Sequence, residues 1–171
     1  KDVAEKYRNT DYTLIREPEV ISRQIPKDID GKVGPSFRGF EKRKVPPIFL
    51  TEMSSVRVWG AGGKIAVMTP EDEVIGDISN VGKGGMPFGH PVFRQNNLGG
   101  VHKQKGKGLL IASKYGSNYF HWMMDVMPKL KIAKEKYRIH DFDYVVTNKI
   151  NKPFQIETLE KVGLNRENVV E

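Results

Sequence analysis

The sequence predicts an α/β fold whose second half is a parallel sheet covered by helices. Short apolar runs bounded by turn residues, typical of buried parallel strands, stand at 109–112, 144–147 and 169–170. The two intervals between them carry helical patterns, at 119–137 and 154–162, and Gly163 follows the second as a C-terminal stop. Strand, helix, strand, helix, strand is the order of a Rossmann-like sheet.

A small antiparallel β segment is predicted upstream of this sheet. Residues 56–59 alternate apolar and polar side chains, a glycine cluster at 60–63 forms a turn, and two further strands are expected at 64–69 and 73–78. The predicted organisation is an extended N-terminal segment at 1–50, a β meander with a glycine-rich loop at 51–107, and a βαβαβ unit at 108–171.

The N-terminal segment and the end of the chain have their own signals. Residues 1–50 carry five prolines and are expected to form loops wrapping a neighbouring domain, with short strands such as 12–15. The last residues read as the start of a strand, so the βαβαβ unit is expected to be truncated at its C-terminal end.

Composition excludes several classes of protein. The chain has 171 residues, of which 38% are hydrophobic and 29% charged, as in a globular domain. It has no cysteine, which excludes disulfides, thiolate metal sites and cysteine nucleophiles. No apolar run approaches the roughly 18 residues that span a bilayer, and no signal peptide is visible. A cytoplasmic protein is therefore expected, with a Golgi or ER lumen as the alternative.

The positive charge is concentrated in one stretch. The net charge is +7, and residues 101–138 hold nine basic and two acidic side chains, so this band carries the whole excess. Such a band attracts a diphosphate, an acidic polysaccharide, an anionic lipid or a nucleic acid, and a solvated surface is the alternative. No helix-turn-helix, RNA-binding or zinc signature is present, so nucleic acid is not expected.

The segment 116–130 carries the candidate catalytic residues. His121 and Asp125 are four residues apart near the start of the predicted helix, so both lie on one helical face. A helix that follows a parallel strand begins at the carboxyl edge of the sheet, where α/β proteins bind ligands. The pair could act in acid/base catalysis. The alternatives are a histidine bonded to a neighbouring element, an Asp125–Lys129 ion pair, and Asn118 as a simple helix cap.

The rest of this helix predicts a packing face. Its apolar residues are Tyr119, Trp122, Met123, Val126, Met127, Leu130, Ala133 and Tyr137. At 100° per residue they form one broad stripe that should pack on the sheet. Pro128 removes a backbone hydrogen bond and is expected to kink the helix.

Other motifs predict loops rather than ligand sites. The glycine-rich stretches at 82–85 and 103–108 do not match a phosphate-binding template. The Asp-Phe-Asp at 141–143 resembles a metal–diphosphate motif, but aspartate is common at such a helix-to-strand turn. His90 and His102 lack metal-ligand spacing, so no metal is expected.

The candidate segment also carries a family resemblance. An Asn-aromatic-aromatic-His-Trp run followed by Asp-Val-hydrophobic-Pro-basic-Leu resembles the signature of glycosyltransferase family 61. The matching residues are Asn118, Tyr119, Phe120, His121, Trp122, Asp125, Val126, Pro128, Lys129 and Leu130. Lys129 stands where the family pattern has arginine. The family includes bacterial capsular-polysaccharide proteins, plant xylan-modifying transferases and the O-GlcNAc transferase of EGF domains.

The resemblance implies an enzyme. It would transfer a sugar from a nucleotide-sugar donor to a hydroxyl acceptor with inversion, in polysaccharide or glycan biosynthesis. The implied architecture is GT-B-like, with this chain as the N-terminal lobe, inactive alone, and the C-terminal donor-binding lobe missing. No metal or other cofactor is expected, and an anionic membrane surface is a further candidate partner.

Roles for individual residues follow from the same resemblance. His121 is the expected base, oriented by Asp125, and Asp125 as the base is the alternative. Asn118, Lys114 and Lys129 are expected to contact substrate. The competing hypothesis is a non-catalytic Rossmann-like module that binds an anionic glycan or nucleotide through its basic band.

Overall fold

The computed structural model describes residues 11–79 and 89–171. The strands within these ranges are β1 (Asp11–Arg16), β2 (Glu19–Ser22), β3 (Lys42–Val45), β4 (Ile48–Glu52), β5 (Arg57–Ala61), β6 (Lys64–Met68), β7 (Gly108–Leu110), β8 (Tyr144–Val146) and β9 (Val169–Val170). The helices are α1 (Tyr119–His121), a π-helical segment (Trp122–Val126), α2 (Met127–Ala133) and α3 (Pro153–Lys161). In the described part of the chain, no helix is long and apolar enough to cross a membrane.

Within residues 11–52, four strands form a two-stranded ribbon, where mostly loops are expected from the sequence. Strand β1 pairs antiparallel with β4, and β2 pairs antiparallel with β3, so the same two arms of the chain meet twice. The two strand pairs are separated by prolines: Pro18 on one arm, and Pro46 and Pro47 on the other. Proline has no backbone N–H, so the hydrogen bonds between the arms cannot be continuous there. Tyr12 and Phe49 stack across the ribbon with their ring centroids 5.0 Å apart.

Strands β5 and β6 form the expected hairpin, but the expected third strand at 73–78 is wrong. Gly62 and Gly63 both have positive φ, as a tight two-residue hairpin turn requires. The chain after β6 forms a single β-bridge to that strand, between Val74 and Met68, and then a 3-10 turn at Gly76–Ile78. Ser79 Oγ accepts the N–H of Val67 at 2.9 Å, so a side chain occupies the donor that a third strand would have bonded.

Strands β7, β8 and β9 form a parallel sheet in that order. Leu109 lies beside Val145, and Val145 lies beside Val169. The helical stretch 119–133 connects the first two strands and α3 connects the next two, which is the predicted strand–helix order. The strands have only two or three residues each, so the Rossmann-like assignment stays a prediction.

The sheet lies between two apolar layers because successive residues of a strand face opposite sides. Leu109 packs against the cluster that contains Trp122 and Leu130, whereas Leu110 packs against Val67 of the hairpin. The predicted helix face is confirmed for Trp122, which is fully buried, and for Val126, Leu130 and Ala133. Two expectations are wrong. Tyr119 is exposed, with its ring edge against Phe154, and the helix ends at Ala133, followed by turns.

Candidate functional site

The helix that carries the candidate residues contains a widened turn. The N–H of Met127 donates to the carbonyl of Trp122, five residues back, so the segment Trp122–Val126 is π-helical. Pro128 follows directly, in the first turn of α2, and its missing N–H interrupts the backbone hydrogen bonds of the continuous helical run 119–133. The expected disturbance at Pro128 therefore takes the form of a wide turn just before it. Such turns are frequent at functional sites, and this one contains Asp125.

His121 and Asp125 form a hydrogen-bonded pair on this turn. Asp125 Oδ2 lies 2.7 Å from His121 Nδ1, and the two side chains are 36% and 43% exposed. A carboxylate accepts at this distance, so Nδ1 holds the ring proton and Nε2 is the atom left for a ligand. The expected face-sharing of the two residues is thus a direct contact, and ligands can reach it.

Lys129 continues the same stripe, one turn beyond Asp125, but does not pair with it. Its ammonium donates to the carbonyl of Ala112, at the end of the run that begins with β7. Among the described residues, Lys129 and Asp125 do not form an ion pair within 4.0 Å. The alternative prediction of an Asp125–Lys129 ion pair is therefore wrong. Burial lowers the pKa of Lys129 to about 8, against the opposing effect of the Asp125 charge.

The loop before the helix uses two other predicted residues. Asn118 is the N-cap, and its Oδ1 accepts the N–H of Phe120 at 2.9 Å. Tyr115 has a φ of +60°, and its ring centroid lies 5.5 Å from that of His121. The Lys114 ammonium sits 4.8 Å from the Tyr115 ring centroid, a cation–π distance. Lys114 is therefore held near the pair through Tyr115.

Sequence reasoning missed Asn148, which fixes this loop. Its Oδ1 accepts the N–H of Ser113 at 3.0 Å, and its Nδ2 donates to the Ser113 carbonyl at 2.8 Å. Gly116 passes so close that a Cβ there would lie 2.0 Å from Asn148 Oδ1. Asn148 thus holds the loop after β7 to the end of β8. The available signal was its position directly after the second predicted strand.

Two exposed aromatic side chains lie beside the pair. The ring centroids of Phe120 and Tyr115 are 5.4 Å and 5.5 Å from that of His121, and both side chains are exposed. Hydrogen-bonding groups set among apolar surfaces are the usual composition of a ligand site.

The basic band is partly neutralised. Its described ion pairs to acidic side chains are Lys107–Glu52, Lys136–Asp11, Lys136–Glu52 and Arg138–Asp141. Hydrogen bonds from Lys107 and Tyr137 lower the pKa of Glu52 to about 2. Lys103 and Lys105 are exposed. The field of the band at a ligand is therefore weaker than its sequence charge predicts.

The aspartates of the 141–143 motif have structural partners. Asp141 accepts from the backbone and guanidinium of Arg138, and Asp143 Oδ2 accepts the Lys107 N–H at 2.6 Å. Within residues 11–79 and 89–171, no group of three or more His, Asp or Glu side chains could hold a metal ion. The glycine stretch at 82–85 lies outside the described residues.

Comparison with protein-family models, with curated proteins and with solved structures gave no match for the chain. The resemblance to glycosyltransferase family 61 therefore rests on the residues between Asn118 and Leu130 alone.

Proposed function

We propose that the protein is an inverting glycosyltransferase that moves a sugar from a nucleotide-sugar donor to a hydroxyl acceptor in polysaccharide or glycan synthesis. The observation that carries the proposal is the exposed His121–Asp125 hydrogen bond on a helix that follows a parallel strand. An inverting transfer needs one base on the acceptor side, and a histidine oriented by a carboxylate supplies it. The resemblance of residues 118–130 to family 61 supplies the reaction class.

The proposed chemistry uses His121 Nε2 as the base. Nε2 takes the proton of the acceptor hydroxyl while its oxygen attacks the anomeric carbon, and the bond from that carbon to the nucleotide diphosphate breaks. Asp125 holds the ring through Nδ1 and stabilises the imidazolium that forms. The departing diphosphate requires positive charge, and Lys114, beside Tyr115, is the nearby candidate.

The architecture is part of the same proposal. A GT-B-like enzyme binds its donor between two lobes, and this chain would be the acceptor-side lobe. The nucleotide sugar, the glycan or other hydroxyl acceptor and a donor-binding lobe are thus its proposed partners. A cytoplasmic setting is supported by the absence of cysteine.

A donor screen on the full-length protein tests the proposal. UDP-, GDP- and CMP-sugars are offered with candidate glycan acceptors, and release of free nucleotide is measured. Turnover with one donor that is lost in His121→Ala, but kept in the exposed control His140→Ala, supports the assignment. Normal turnover in His121→Ala would remove His121 as the base.

A binding module without chemistry is the second candidate. Lys103 and Lys105 are exposed and close in sequence to β7, as an anion-binding strip requires. On this hypothesis Lys103→Glu with Lys105→Glu abolishes binding of an acidic polysaccharide, whereas His121→Ala leaves it unchanged. Absence of turnover with every donor, together with that pattern, would favour the module.

A further inference from the structure

A cleft of about 1250 Å³ separates the ribbon and the β5–β6 hairpin from the parallel sheet and its first helix. Its wall has an aliphatic part that includes Leu50, Val58, Val67, Leu110, Ile132 and Val146, and it also carries the carboxylates of Asp11, Glu52 and Asp77. Pockets for small molecules commonly have volumes of roughly 300–1,000 Å³, so a ligand with a long chain would fit. His121 and Asp125 are not among the residues that line this cleft.

One cation enters this aliphatic wall without an anionic partner. Lys129 lines the cleft, and its described hydrogen bond is to the Ala112 carbonyl. An ammonium group has three N–H donors, and this bond uses one of them. Two N–H groups of Lys129 therefore remain for a ligand. Among the residues that the structure describes, no carboxylate lies within 4.0 Å of Lys129. Burying an unpaired charge is costly, and an anion in the cleft would remove that cost.

The other lysine at the cleft is already paired. Lys107 donates to Glu52 at 2.8 Å, and its ammonium lies 4.3 Å from the Tyr137 ring centroid. The position for an anionic group is therefore at Lys129, and the aliphatic wall is left for an apolar chain. Two of the carboxylates at the cleft, Asp11 and Glu52, are themselves paired with Lys136 and Lys107. The ammonium of Lys129 and the aliphatic part of the wall together define one class of ligand.

We propose that this cleft binds a long-chain aliphatic anion, with its acidic head at Lys129 and its hydrocarbon chain along Leu110, Val67 and Val58. This ligand differs from the nucleotide sugar and the acceptor of the proposed transfer reaction. Its binding requires neither His121 nor a donor.

Isothermal titration of the full-length protein with sodium dodecanoate tests the inference, without any donor present. Binding of one dodecanoate is expected, weakened at least tenfold in Lys129→Met and within twofold of wild type in the exposed control Lys131→Met. Val58→Trp, which fills the cleft from a half-exposed position, should weaken binding without altering Lys129. Butyrate and dodecanol, which lack the chain and the charge respectively, should bind at least tenfold more weakly.

The same titrations define the contrary results. Absence of dodecanoate binding in the wild type would overturn the inference, and so would equal affinity in Lys129→Met. Butyrate as tight as dodecanoate would mean that Lys129 binds anions and that the aliphatic wall plays no part. Thermal unfolding of each variant verifies that it is folded under the titration conditions.

Discussion

Asp125 Oδ2 accepts a hydrogen bond from His121 Nδ1 at 2.7 Å within a π-helical turn, and this contact fixes which ring nitrogen faces a ligand. In a continuous α-helix the same two side chains would be neighbours on one face. Here they are in contact, and both are partly exposed. The proposal that His121 rather than Asp125 is the base rests on this contact, because the carboxylate is bonded to Nδ1.

Asp125→Asn should lower kcat by about 10²-fold or more while changing KM little. An asparagine can donate its own N–H to Nδ1, which would place the ring proton on Nε2 and remove the base. Steady-state kinetics on the full-length protein measure the effect, with the exposed Asp30→Asn as control. A change confined to KM would assign Asp125 to substrate binding instead.

Lys129 should make stability depend on pH in the alkaline range. Its pKa is about 8 in the folded protein and about 10.5 when unfolded, so the unfolded chain binds more protons between these values. The free energy of unfolding therefore gains about 3 kcal/mol from this group as pH rises from about 8 to about 10.5.

Urea unfolding of wild type and Lys129→Met across that range measures this gain. The advantage of Lys129→Met at pH 7, where the buried charge is costly, should shrink as the wild-type lysine loses its proton. A difference between the two proteins that stays constant with pH would show that Lys129 is solvated in the folded state.

Glu52→Gln should destabilise the protein at neutral pH and not at pH 2. The folded pKa of Glu52 is about 2, below its usual 4.5, so its stabilising effect is present above pH 4.5 and is lost as pH falls towards 2. Because the side chain is 38% exposed, solvent screening limits the loss at pH 7 to about 1 kcal/mol. Urea unfolding at both pH values, with the exposed Glu17→Gln alongside, checks the direction.

Gly116→Ala should loosen the loop that precedes His121. The new Cβ would lie 2.0 Å from Asn148 Oδ1, so the amide must move and its two hydrogen bonds to Ser113 are strained or lost. A loss of about 1–3 kcal/mol in the free energy of unfolding is expected. Gly100→Ala is the matched control, because a Cβ there meets no atom within 4 Å. Equal stability of the two variants would contradict the packing of Gly116 on Asn148.

The sequence predicts much of the second half because hydrophobic periodicity is a local signal. The strand β8, the helix α3 and the burial of Trp122 and Leu130 all follow from short apolar runs and a 3.6-residue period. The turn at Gly62 and Gly63 follows from the conformational freedom of glycine. None of these needs information from a distant part of the chain.

The errors arise where distant groups compete with local pattern. Residues 73–78 have a strand-like sequence, but Ser79 takes the hydrogen-bond donor of Val67 and ends the pairing. The π-helical turn at Trp122–Val126 has no periodic signal, although Pro128 marks its neighbourhood. Lys129 looks like a surface lysine on helical spacing, and only the packing around Ala112 reveals its burial.

The π-helical segment lets this helix hold one residue more than its hydrogen-bond pattern needs. Because Met127 bonds five residues back, the segment Trp122–Val126 holds one residue more than an α-helical turn. Deleting one residue there would leave the same N–H and carbonyl groups as the partners of an ordinary α-helical bond, so Asn118 and Leu130 would keep their places on either side. In a regular α-helix the same deletion would rotate one end by about 100° relative to the other. The wide turn thus confines the extra residue to the one turn that holds Asp125.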